Sequence, residues 1–192
     1  MMQKSLILAS ASPRRRELLS QLGYEFTILI SNIDEVRSAG ESPSQYVQRL
    51  AENKAQAVLE QARSKGIVEP IVIGSDTIVT QGECVFEKPN SVQDSLEMLD
   101  QLSNAKHQVM TAVCVSDLHK TETIICITDV WFKPLSRQEI EDYWLTGEPC
   151  DKAGSYGIQG IGGKFVTRIE GSYHSVVGLP LFETEQLLHQ FL

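Results

Sequence analysis

Ser5-Leu6-Ile7-Leu8-Ala9, followed at once by Ser10-Ala11-Ser12-Pro13-Arg14-Arg15-Arg16, is where the architecture of this chain first becomes legible. The apolar run reads as a buried strand. Ser12 before Pro13 reads as a helix start: a serine side chain at the N-cap accepts from an orphaned backbone N–H, and proline suits the first helical position. The helix is expected to run to Leu22, with Gly23 at C′ as its stop. Its three arginines stand against the helix dipole, because the N-terminus is electropositive and repels cations unless an anion sits there. A phosphate supplies such an anion. A solvated arginine run is the other reading of this stretch taken alone.

Working outward, Tyr24 to Ile30 is predicted as a second strand, and Ser42-Pro43 repeats the cap-plus-proline start for a long helix to Ser64, with Gly66 as its stop. Val47, Leu50, Ala51, Ala55, Val58, Leu59 and Ala62 follow the 3.6-residue period along it. Ile71 to Thr80 reads as a strand, Gln81-Gly82 as a turn into Val85-Phe86, and Ser91 as the cap of a helix to Leu102. Two longer strands, Gln108 to Val115 and Thr123 to Phe132, join around Asp117, and Ser136 with Glu139 forms a capping box for a short helix ending before Gly147. A glycine-rich segment, Gly154 to Gly163, precedes a strand at Phe165 to Ile169. Gly178-Leu179-Pro180 leads into a terminal helix with Leu181, Leu187, Leu188 and Phe191 apolar. Strands and helices interleave throughout, so the expected class is α/β, a mixed sheet flanked by helices.

The 192 residues fit one domain or two intimately packed lobes, and 42% hydrophobic content suffices for a core. A net charge of -8 argues against a nucleic-acid polymer or an anionic membrane as partner, since both ask for a broad basic surface. Local basic clusters in an acidic chain point instead to a small anionic ligand. Cys84, Cys114, Cys126 and Cys150 lie far apart, with no C-x-x-C pair, so neither a zinc site nor a disulfide scaffold is indicated. Reduced thiols, no signal-like apolar region and no stretch long enough to span a bilayer lead to a cytoplasmic expectation.

Several residues break local rules. Asp76 sits within Ile71-Val72-Ile73-Gly74-Ser75-Asp76-Thr77-Ile78-Val79, where an ionised carboxylate is costly unless a cation, a metal or a set of donors meets it. Gly74 beside it permits close approach of another backbone or a ligand. Lys54 projects from the apolar stripe of the long helix; its stem either snorkels to the surface or carries the ammonium to a phosphate in a cleft. Asp34-Glu35 lies in a loop where carboxylates can reach a hard cation, and is otherwise solvated. Ala153-Gly154-Ser155-Tyr156-Gly157-Ile158-Gln159-Gly160 can hug a ligand or form ordinary turns.

Taken in order, Ser-Ala-Ser-Pro-Arg-Arg from Ser10, Asp34-Glu35, the helical Lys54, Gly74-Ser75-Asp76-Thr77, Glu87-Lys88-Pro89, Asp151-Lys152-Ala153-Gly154-Ser155-Tyr156-Gly157-Ile158-Gln159-Gly160 and Val176-Val177-Gly178-Leu179-Pro180 resemble the Maf family of nucleoside triphosphate pyrophosphatases. The resemblance runs from Leu6 to the terminal helix as a single domain over residues 1–192. It implies an elongated two-lobed fold similar to that of inosine triphosphate pyrophosphatases, an active site in a central cleft, a divalent metal (Mg²⁺ or Mn²⁺) and a homodimer. Carried over by position, Ser12, Arg14, Arg15, Lys54 and Lys88 face the triphosphate, and Glu35 with Asp76 serves metal and water. Asp76 matches the residue assigned as proton acceptor; the alternative is that it orients a metal-bound hydroxide.

Within the family, members resembling pyrimidine-nucleotide enzymes carry Arg, Thr and Gln where this chain has Arg14, Thr77 and Gln159. The sister group preferring 7-methyl-GTP has Trp, Gln and Glu there, which suits a cationic base. Arg14 repels such a base, and a neutral Gln159, donor and acceptor at once, matches the O2, N3–H and O4 edge of uracil or thymine. The implied activity is hydrolysis of dTTP and UTP to the monophosphate and pyrophosphate, removing non-standard or excess pyrimidine nucleotides. A 7-methyl-GTP pyrophosphatase, a non-catalytic nucleotide-binding regulator of cell division and a nucleotidyl or sugar-phosphate transferase are the alternatives.

Overall fold

A computed structural model describes residues 4–192 of the chain. Seven strands make one sheet in the order β2-β1-β3-β5-β6-β7, with β4 paired to β3. The strands are β1 (Ser5–Leu8), β2 (Thr27–Ile28), β3 (Pro70–Gln81), β4 (Cys84–Phe86), β5 (Lys106–Ser116), β6 (Thr121–Phe132) and β7 (Val166–Glu170). The helices are α1 (Pro13–Gln21), α2 (Pro43–Ser64), α3 (Val92–Leu102), α4 (Arg137–Leu145), α5 (Tyr173–Val177) and α6 (Leu181–Leu188). β1 pairs in parallel with β2 and β3, whereas β3 with β4 and β6 with β7 run antiparallel, so the sheet is mixed as expected.

Two compact units share these elements. One holds the described residues up to Asp76 with Thr111–Cys126 and Gly178–Leu192; the other holds Thr77–Met110 and Ile127–Val177. In the first unit, the α2 stripe of Val47, Leu50, Ala51, Ala55, Val58 and Ala62 is buried, as are Ile7 and Leu8 of β1 and Ile71 to Ile73 of β3. In the second, Leu99, Leu102, Val109, Val130, Phe132, Tyr143, Tyr156 and Phe165 belong to one apolar cluster.

Local signals set the helix ends. Ser12, Ser42, Ser91 and Ser136 all cap as expected, each accepting from a backbone N–H inside its helix. Ser42 additionally exchanges bonds with Gln45, a capping box that lengthens the list of satisfied donors at the start of α2. The strand expected over Tyr24 to Ile30 is a correction: only Thr27 and Ile28 pair, and both side chains are exposed. β1, their partner, is four residues long and this is the sheet edge, so little ladder is available to extend them. α5 was not foreseen either; its five residues are too few to show a period.

His107 of β5 is buried with rings on two sides, Phe132 at 4.8 Å and Tyr156 at 5.5 Å, both edge-on. Its Nε2 lies 2.8 Å from the Tyr156 hydroxyl, while Nδ1 has no hydrogen-bond partner among the described residues. Burial pushes its pKa from 6.5 down to about 4, against the opposing pull of Asp129. The unfolded chain therefore binds this proton at higher pH than the folded one. The associated stability is complete above about pH 6.5 and is lost as pH falls through the window toward about 4, amounting to about 3 kcal/mol in full. The melting temperature is expected to fall over that window in the native chain and much less in His107→Phe. Parallel pH profiles for the two would refute this.

Candidate active site

Ser12 ends the turn after β1 in extended geometry, its Oγ accepting from Arg15 N–H at 3.5 Å while its own N–H donates to Ser10 Oγ at 3.1 Å. No acidic residue lies in the first turn of α1, so its arginines meet the helix dipole uncompensated from within that turn. Arg15 does not simply trail into solvent. Its Nε donates to the carbonyl of Gly178 at 2.9 Å, and the same carbonyl accepts from Ser75 Oγ at 3.3 Å. Burial pushes the Arg15 pKa down, and Asp76 pulls it back up, so the guanidinium lies in the field of that carboxylate. An arginine remains charged under any physiological condition.

Asp76 is almost fully buried, and the charge that meets it is Lys54: the ammonium lies 2.6 Å from Asp76 Oδ1 and 2.8 Å from Glu35 Oε1. Neither sequence reading of Lys54 as a snorkelling or a solely phosphate-directed side chain anticipated this pairing. The approach depends on small residues. Gly74 lies so close to α2 that a Cβ there would sit 2.2 Å from the Ala51 carbonyl oxygen and 2.7 Å from the Ala55 nitrogen. Lys54, on the same turn of α2, is thereby brought down onto β3.

Glu35 is held from α2 by residues that sequence reasoning did not single out. Tyr46 Oη donates to the Glu35 carbonyl at 2.8 Å. Arg49 forks onto both oxygens of Glu41, at 2.6 and 2.8 Å, and its Nη2 also donates to the Val36 carbonyl at 2.9 Å. The hydrogen bonds from Arg49 lead in holding the Glu41 carboxyl down at about 2. Their sequence signal is faint: an aromatic and an arginine in a helix read as ordinary core and surface.

Ser12, Arg14, Arg15, Glu35, Lys54 and Asp76 all belong to the first unit. Thr77, Lys88 and Gln159 belong to the second. There, Lys88 is exposed in the loop between β4 and α3, next to Glu87, whose carbonyl accepts from Gly154 N–H at 3.3 Å. Thr77 is half-buried on β3, and Gln159 is exposed in the glycine-rich loop.

Two carboxylates within 2.6 and 2.8 Å of one cationic centre are hard oxygen donors of the kind Mg²⁺ or Mn²⁺ takes. No cluster of three or more His, Cys, Asp or Glu suited to a metal occurs among the described residues. Glu35 and Asp76 supply two such oxygen donors, and both face the Lys54 ammonium.

The family described as Maf-like protein matches residues 5–191 of this sequence. The chain belongs to the Maf family. Among its relatives, a dTTP/UTP pyrophosphatase of Vibrio cholerae is 59% identical over 97% of each chain, and one of Aliivibrio fischeri is 55% identical over 100% of each. Another from Photorhabdus laumondii is 52% identical over 98% of this chain and 94% of its own. A solved dITP/XTP pyrophosphatase from Mycobacterium abscessus aligns at 14% identity and a TM-score of 0.37, covering 67% of this Maf chain and 72% of its own, a likeness too slight to argue from. No helix among the described residues is long and apolar enough to cross a membrane.

Proposed function

We propose that this Maf family chain hydrolyses dTTP and UTP to the nucleoside monophosphate and pyrophosphate, removing non-standard or excess pyrimidine nucleotides. The observation that carries the reading is the buried Lys54–Asp76 pair with Glu35 on the same ammonium, and Arg15 bonded to the Gly178 carbonyl that Ser75 also reaches. The pyrimidine preference is supported by the names of the near relatives and by the hydrogen-bonding character of Gln159.

In this reading, Arg14, Arg15, Lys54 and Lys88 offset charge on the departing pyrophosphate, and the positive end of the α1 dipole shares in that task. Asp76 positions the water that attacks the α-phosphorus and accepts its proton. Glu35 and Asp76 would hold Mg²⁺ or Mn²⁺, which when bound supplies Lewis acidity at the phosphate. Lys54 keeps both carboxylates in place and neutralises part of their charge. A cytoplasmic homodimer completes the reading.

A panel of nucleoside triphosphates with separate detection of pyrophosphate and orthophosphate tests it. Pyrophosphate from dTTP and UTP is expected; orthophosphate alone would mean cleavage at the γ-position. UTP binding without pyrophosphate release, in excess Mg²⁺ or Mn²⁺, would make the chain a nucleotide sensor. In the same panel Gln159→Glu is expected to lower kcat/KM for UTP by about tenfold or more, because a carboxylate facing O2 or O4 leaves acceptors unpaired. Unchanged selectivity would undo the role of Gln159.

A further inference from the structure

The loop that carries Gln159 is tied down by two residues to which nothing above gives a role. Glu148, just after the left-handed Gly147 that closes α4, turns its carboxylate under the loop. Its Oε1 accepts from the Tyr143 hydroxyl at 2.8 Å and from Gly162 N–H at 3.0 Å, and its Oε2 accepts from Ile161 N–H at 2.8 Å. The Tyr143 oxygen in turn accepts from Gly157 N–H at 3.1 Å. Backbone on both sides of Gln159 is thus anchored to one phenol and one carboxylate, at Gly157 before it and at Ile161 and Gly162 after it.

The glycines make room for this. A Cβ at Gly160 would lie 2.4 Å from Glu148 Oε2, and one at Gly162 would lie 2.6 Å from the Tyr143 oxygen. Only a bare backbone can close over the carboxylate at such distances. Tyr143 is itself fixed, fully buried and edge-on to Phe165 at 5.0 Å between ring centres. Nearby, Ser155 holds a left-handed φ of 61°, uncommon for a residue with a side chain, and its hydroxyl lies 2.6 Å from that of Ser95 in α3. Backbone bonds to a charged acceptor cost more to lose than neutral ones, so this carboxylate sets the loop shape more firmly than turn residues would.

We infer that Tyr143 and Glu148 are positioning residues for base selection, holding Gly157–Gly162 in the one conformation that presents the Gln159 amide to a pyrimidine edge. The inference rests on Gln159 reading the base. A side chain on a loosened loop still reaches the base, but must be ordered at each binding event, and that cost falls on binding and not on the chemical step.

Steady-state kinetics on UTP and dTTP with Tyr143→Phe, Glu148→Gln and Gln159→Ala, alone and combined, provides the test, with inorganic tripolyphosphate as a base-free competitive inhibitor. Tyr143→Phe and Glu148→Gln are each expected to raise KM for UTP by roughly tenfold, with kcat and the tripolyphosphate inhibition constant held. Added to Gln159→Ala, Tyr143→Phe is expected to raise KM no further, because it acts through that residue. If Gln159→Ala raises KM and the other two do not, or if Tyr143→Phe lowers kcat as well and adds fully to Gln159→Ala, the positioning role is overturned while the reading of Gln159 survives. If Gln159→Ala itself leaves KM and selectivity unchanged, that reading fails and takes this one with it. Tyr143→Phe removes one oxygen from a buried ring and keeps its packing, so the outcome does not depend on the fate of Glu148→Gln.

Discussion

Asp76→Asn is expected to reduce pyrophosphate release from UTP by about 10²–10⁴-fold, the range over which a positioned acid or base contributes. Asparagine keeps the volume of the side chain and one acceptor oxygen for Lys54, so the buried contact at 2.6 Å can persist in form. What disappears is the negative charge, and with it the capacity to accept a proton and most of the attraction for a divalent cation. Lys54 then retains Glu35 as its charged partner at 2.8 Å. Single-turnover kinetics with thermal melting as a control separates loss of chemistry from loss of fold. Near-normal turnover in a folded variant would take Asp76 out of the reaction.

Gly74→Ala is expected to be the most damaging single methyl in the first unit. The added carbon would stand 2.2 Å from the Ala51 carbonyl oxygen, 2.7 Å from the Ala55 nitrogen and 2.9 Å from the Ala55 Cβ. Two of these are backbone atoms of α2, which cannot turn aside as a flexible side chain can, so the helix itself must move away from β3. Forcing extra volume into a packed core costs about 3 kcal/mol at the upper end of its usual range. For a chain of this size that corresponds to a fall in Tm of roughly 6–12 °C. The same displacement carries Lys54 off Asp76, so kcat/KM should fall in protein that is still folded at the assay temperature. A variant with native Tm and native activity would show that the approach of helix to strand is not needed.

The site was legible in proportion to how local its signals are. Ser12 and Pro13 announce the helix start from two adjacent residues, and the structure has Ser12 capping α1. Lys54 stood out as a charge inside an apolar stripe and Asp76 as a carboxylate in an apolar strand, each an anomaly against its immediate neighbours. That the two anomalies resolve each other was not visible, because 22 positions separate them and nothing local measures that distance. Arg15 illustrates the opposite case. Its exposure to an anion was inferred from the helix dipole alone, yet its Nε also meets the Gly178 carbonyl, 163 positions away.

Hydrophobic period, serine caps, glycine stops and the ordered motifs established the α/β class, nearly all of the strands and helices, and the set of residues to examine, because each of these is a property of residues within a few positions of one another. Folding alone chose the partners: which carboxylates share the Lys54 ammonium, which backbone Gly74 lets in, and which amides Glu148 gathers beneath Gln159. Such contacts depend on distances between segments remote in the chain, and those distances are set by how whole helices and strands bury their apolar faces, a quantity that no short window of residues contains.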